Sequence, residues 1–196
     1  GPVKVRGTAL ESTTSGQALV HLLSAAFNND EPVTVETVPA LTAKVKPIVD
    51  RLGQLPKTTN DLLNVCLSTG CTDLNFGLES TYLRIVNDFE NGDENSKKSA
   101  EAMKKNLAVL YPQPAAWGHH TMIVLTEGGR RFLNALSDPE IQAVAWAEHG
   151  LRTPGQGIRM DAKSAPVPGV ATSIGAAVTQ PTAEANKAFI KSVLGK

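Results

Sequence analysis

VKVRGTALESTTSGQALVHLLSAAF, residues 3–27, is the stretch on which the reading of the fold turns. Residues 3–8 alternate and are rich in β-branched side chains, the period-2 pattern of a strand. Glu11-Ser12-Thr13-Thr14-Ser15-Gly16 follows as a polar cluster. Beyond it Ala18, Leu19, Leu22, Leu23, Ala26 and Phe27 recur at helical spacing, and Asn28-Asn29-Asp30 ends the helix. Strand, polar turn and helix in succession form the unit from which layered α/β folds are built.

The same alternation extends outward. Strands are expected at residues 33–38, 72–77, 107–111 and 121–125. Helices are expected at 42–52, 60–68, 80–89, 99–105, 129–136, 139–149 and 182–194. Pro47 is tolerable only in a first turn or at a kink. Thr58 or Thr59 can cap the third of the chain's helices, and Asp138 with Pro139 behind it can open another. Residues 91–95 read as a solvated turn, and 153–169, rich in Gly and Pro, as a loop. The expectation is an α/β fold with a mainly parallel sheet flanked by helices.

Composition bounds the function classes. A chain of 196 residues buries roughly 70% of its unfolded surface, enough to fold without a metal. Its 19 basic and 19 acidic residues cancel, so it lacks the electropositive footprint of a nucleic-acid binder or a polybasic membrane patch. No apolar run reaches the roughly 20 residues needed to cross a bilayer. Gly1-Pro2 reads as an expression scar left by a protease, so a missing leader says nothing about localisation.

Cys66 and Cys71 have four residues between them, with Gly70 able to make a turn. The gap is not that of a Cys-x-x-Cys redox motif, and further metal ligands do not follow. A structural disulfide is expected, worth about 2 kcal/mol in the chain-entropy picture, and it points to an oxidising compartment.

Three constellations could carry chemistry. Ser12, Thr13, Thr14, Ser15 and Gly16 put hydroxyls and free N–H groups at a helix start, where an anion can settle; the plainer reading is helix capping. His119-His120 are adjacent and cannot face the same way, so with His21 and His149 apart no zinc site is expected. His149 at a helix C-terminus is accounted for by the helix dipole. Ser12 and Ser15 have no motif-specified base, and Asp73 and Glu79 read as caps as readily as acid/base groups. No catalytic signature is found, and no cofactor is implied.

Later segments carry a resemblance. Residues 107–114 (LAVLYPQP), 119–125, 132–142 (FLNALSDPEIQ) and 148–152 (EHGLR) follow one another as in the distal part of type 2 periplasmic solute-binding proteins. In that family a strand reaches a Tyr-Pro segment where the chain crosses back between lobes. The opening strand, Ser/Thr/Gly turn and helix resemble the start of the second lobe, and Gly77-Leu78-Glu79-Ser80-Thr81-Tyr82 is similar to a segment facing the cleft.

The resemblance implies a solute-binding-like α/β domain over 3–152, with 153–196 a loop and C-terminal helix packed on it. The preceding lobe of roughly 80 to 100 residues is absent. It further implies a non-enzymatic periplasmic or extracellular protein binding a small polar or anionic solute on Ser12–Gly16. Glu79 and Ser80 would form the opposing wall, with Tyr111 and Arg152 near the crossing. A membrane transporter, another envelope protein or a second copy would be its partner. The alternative is a protein-interaction module of the envelope that keeps the fold and has lost the solute.

Overall fold

Thr13 turns its hydroxyl back on the Gly16 amide, 2.9 Å away, and a helix starts there. The structure, a computed structural model, describes residues 3–118, 121–152, 167, 170–171 and 173–196. In chain order these form β1 (Val5–Arg6), α1 (Thr14–Phe27), α2 (Val38–Val49), α3 (Thr59–Thr69), β2 (Leu74–Asn75), α4 (Glu79–Glu90), α5 (Glu94–Asn106), α6 (Glu127–Leu136), α7 (Pro139–His149) and α8 (Ala183–Leu194).

The helices follow their sequence signals. Thr58 caps α3 by accepting from the Asp61 amide at 3.0 Å. Asp138 caps α7 with Pro139 in its first turn, and Thr182 caps α8. Asp93 caps α5, which therefore begins five residues before the expected 99. Pro47 lies inside α2, in its last turn. There it removes one hydrogen bond near the end of the helix.

The expected α/β fold, with its mainly parallel sheet, is not what the chain forms. The protein is mostly helical, and the one sheet among the described residues is the pair β1–β2, with Val5 opposite Leu74 and Arg6 opposite Asn75. Each missing strand has a local cause. At 33–38 the Thr37 hydroxyl accepts from the Thr34 amide and donates to the Thr34 carbonyl, closing a turn that feeds α2. Threonine thus offered the backbone a side-chain partner in place of a ladder. Leu107 caps α5 through its own amide, and the residues after it reach no strand partner. In 121–125 the large side chains stand exposed. β-branched alternation describes a fit to a pleated, half-buried surface, and these segments have none to join.

The described residues divide into two compact units. The first takes 3–78, 112–118 and 175–196. In it α2 packs on α8 and α1 on α2, around Val20, Val45, Phe189 and Val193, all with no accessible surface. Each such side chain stabilises by about 1.5–3 kcal/mol relative to exposure. Thr42 of α2 also donates to Ser192 of α8 at 3.0 Å. Cys66 and Cys71 form a disulfide that ties the end of α3 to the approach to β2.

The second unit takes 79–111 and the described residues of 119–174. α4 packs on α5 and α7, burying Leu83, Val86, Met103 and Trp146. Gly150 ends α7 in the left-handed region (φ 63°). A β-carbon there would come within 2.6 Å of the Leu83 side chain. Glycine therefore both turns the chain and lets it approach α4, which delivers Leu151 and Arg152 to the start of that helix.

Candidate functional site

The hydroxyl row at the start of α1 is occupied by the chain itself. Ser15 and Thr8 are buried, with their hydroxyls 2.6 Å apart, and Ser15 also accepts from Thr59, the first residue of α3, at 3.2 Å. Thr13 bonds the Thr8 hydroxyl, the Ala9 carbonyl and the Gly16 amide at 2.8, 2.7 and 2.9 Å. Gly16 lies so close to Ala9 and Leu10 that no guest fits between them. Ser12 and Thr14 are exposed and stand outside this network. The cluster is a buried lock between α1 and α3.

Glu79, Tyr111 and Arg152 do come together. Arg152 donates from Nε to Glu79 Oε2 and from Nη2 to Oε1, each at 2.7 Å, and from Nη2 to the Ala171 carbonyl at 2.6 Å. Tyr111 donates its hydroxyl to Glu79 Oε1. The guanidinium carbon lies 5.1 Å from the Trp146 ring centre and 5.6 Å from that of Tyr111, within cation–π range. Burial, then the Glu79 carboxylate, push the Tyr111 phenol up to about 12. Burial works against the charge on Arg152, but its bonds to Glu79 and Tyr111 outweigh that and hold it above its ordinary value. Every member has its partner inside the chain, so the cluster reads as a brace.

Beside this brace lies an open depression of about 230 Å³, lined by Ser80, Thr81, Arg84, His149 and Leu151. Ser80 and Thr81 belong to the first turn of α4, where N–H groups have no helical acceptor. Arg84 is one turn further on, and His149 comes from the last turn of α7. Arg84 bonds Asp88 at 3.1 Å in an exposed i,i+4 pair, which is worth only about 0.3–0.5 kcal/mol. Glu79, the carboxylate nearest in sequence to Ser80, is already gripped by Arg152. The lining thus offers two hydroxyls, the Arg84 guanidinium and the His149 ring beside the apolar side chain of Leu151.

Of the sequence-expected residues, Ser80 lines this depression, while Glu79, Tyr111 and Arg152 build the brace next to it. Thr81, Arg84 and His149 were not singled out as ligands. Only the contact of α4 with α7 brings them together, and residues 65 apart in sequence give no spacing signal. Asp73 accepts from the Lys4 amide at 2.9 Å, and His21 bonds Asn186 at 2.8 Å. His119 and His120 lie outside the described residues. Among those described, no group of His, Cys, Asp and Glu could hold a metal ion. Comparison with protein families, curated proteins and solved structures gave no match.

Proposed function

We propose that the chain is an extracytoplasmic binding protein for a small anion, held in the depression between α4 and α7. The observation that carries this reading is the convergence of Arg84, His149, Ser80 and Thr81 on one opening beside Glu79, which Arg152 already pairs. The Arg84 guanidinium would donate to the anion, since hydrogen bonds with a charged partner on each side are the strong ones. The hydroxyls of Ser80 and Thr81 and the amides of the first turn would donate to the remaining oxygens. A volume of about 230 Å³ is below the 300–1,000 Å³ of drug-sized pockets, which favours a phosphate or a short carboxylate. The Cys66–Cys71 disulfide supports an oxidising compartment.

Calorimetric titration of the chain with phosphate, and separately with succinate, tests the reading. At about 1 kcal/mol per heavy atom, an oxyanion of about five atoms binds with Kd on the order of 0.1 mM. Arg84→Ala, with an unchanged circular dichroism spectrum, should weaken that binding about tenfold or more. Absence of binding by either anion at tens of millimolar would overturn the proposal.

A further inference from the structure

Among the side chains lining the depression between α4 and α7, the imidazole of His149 is the one whose residue type changes charge between about pH 5 and 8. Ser80, Thr81 and Leu151 carry no charge in that range, and an arginine keeps its own throughout. His149 stands exposed in the last turn of α7, so solvent protons reach the ring freely. Arg84, on the helix packed against it, lines the same opening.

We infer that the anion held there binds together with a proton on His149, so that the site fills in mild acid and empties above neutrality; this rests on the depression being an anion site. A neutral imidazole has one nitrogen that donates and one that only accepts, and the accepting nitrogen repels an oxyanion. Once protonated, the ring donates from both nitrogens and adds a charge, which makes its bond to an anion of the strong kind. An anion set between Arg84 and a protonated His149 is then attracted by both. Coupling of this sort is reciprocal: the proton tightens the anion, and the anion holds the proton.

The other charges around His149 do not duplicate this role. On α4, Asp88 is bonded to Arg84 at 3.1 Å, and Glu79 is held by Arg152. On α7 itself, Glu148 precedes His149 and is exposed. α6, the other helix against α7, carries Glu127, Arg130 and Arg131, which pair with one another. None of these carboxylates lines the depression. Carboxylates ordinarily titrate near 4 and arginines above 12, so between about pH 5.5 and 8 a histidine is the group that switches.

Calorimetric titration of the full chain with inorganic sulfate, which keeps both its charges over this range, tests the coupling at constant ionic strength. Kd should fall about fivefold or more on going from about pH 8 to about pH 5.5, at the lower end of ordinary coupling between two ligands. Near pH 7, heats measured in two buffers of different ionisation enthalpy should show about half a proton taken up per anion. His149→Gln should bind with one affinity at both pH values. His149→Lys, charged throughout, should bind more tightly than His149→Gln at the higher pH. The proton count needs no variant, so it decides should either substitution disturb α7. A general attraction from the other three histidines would survive His149→Gln, so an undiminished pH dependence in that variant overturns the inference. Equal wild-type affinity at both pH values with no proton uptake also overturns it, and leaves the depression standing as an anion site. So does absence of sulfate binding at either pH, and the phosphate and succinate titrations then show whether the site falls with it.

Discussion

Arg152 and Glu79, 73 residues apart in the chain, meet through two parallel hydrogen bonds of 2.7 Å each. The arginine side chain is only 8% exposed, so solvent screens the pair little. Its third bond, to the Ala171 carbonyl, and its place against Trp146 and Tyr111 make it the tie between four stretches of the second unit. Removing one member of a buried pair strands the other's charge, which typically costs about 3–5 kcal/mol.

Arg152→Ala is therefore expected to destabilise the second unit by about 3 kcal/mol in urea denaturation. Arg152→Lys keeps the charge but loses the second parallel bond and the planar stacking. It should recover less than half of that loss. If lysine substitutes fully, the fork geometry is not what holds these stretches together.

The two tyrosines make the same unit sensitive to alkali. Burial raises the Tyr82 phenol above its ordinary value of 10, and burial with Glu79 raises Tyr111 to about 12. A phenol whose folded value is raised favours the folded state while both states are protonated, so its full contribution is present below pH 10. The unfolded chain ionises first as pH rises from 10 towards 12, and stability falls across that window. Absorbance at 295 nm should show less than half of the tyrosine ionised at pH 10 in the folded chain. Tyr111→Phe should remove the later step and flatten the loss of stability. An ordinary titration of both rings near 10 would contradict the packing around them.

The helices were legible because their signals are local. Thr58 and Asp138 are read as caps from sequence and act as caps in the structure, and the apolar spacing after Gly16 is that of α1. The sheet was not legible, because a strand needs a partner that alternation cannot supply. Val5–Arg6 finds Leu74–Asn75, whereas 33–38 is diverted by its own threonines and 107–111 finds no ladder. The site follows the same division. Glu79, Tyr111 and Arg152 were picked out and do converge, but as a brace. The residues facing the depression, Arg84 and His149, carry no motif. The hydroxyls at Thr13 and Ser15 looked like a seat because composition shows donors and not what already occupies them.

A pair of glycine substitutions separates a closed turn from an open one. Alanine is favoured over glycine in a helix by about 1 kcal/mol, so Gly→Ala stabilises wherever the β-carbon has room. At Gly128 in α6 the nearest atom to such a carbon is the Thr126 hydroxyl at 3.8 Å, and Gly128→Ala should stabilise by up to about 1 kcal/mol. At Gly16 the carbon would come within 2.4 Å of the Ala9 carbonyl oxygen and 2.7 Å of Leu10 Cα. Those are backbone atoms, and the Ala9 oxygen also accepts from the Thr13 amide and hydroxyl, so it cannot move without loosening the cap. Overpacking of this kind costs about 1–3 kcal/mol or more and exceeds the propensity gain. Gly16→Ala should therefore lower the urea midpoint while Gly128→Ala raises it. If both raise it, the start of α1 is not packed on Ala9 and Leu10, and its hydroxyls would again be free for a ligand.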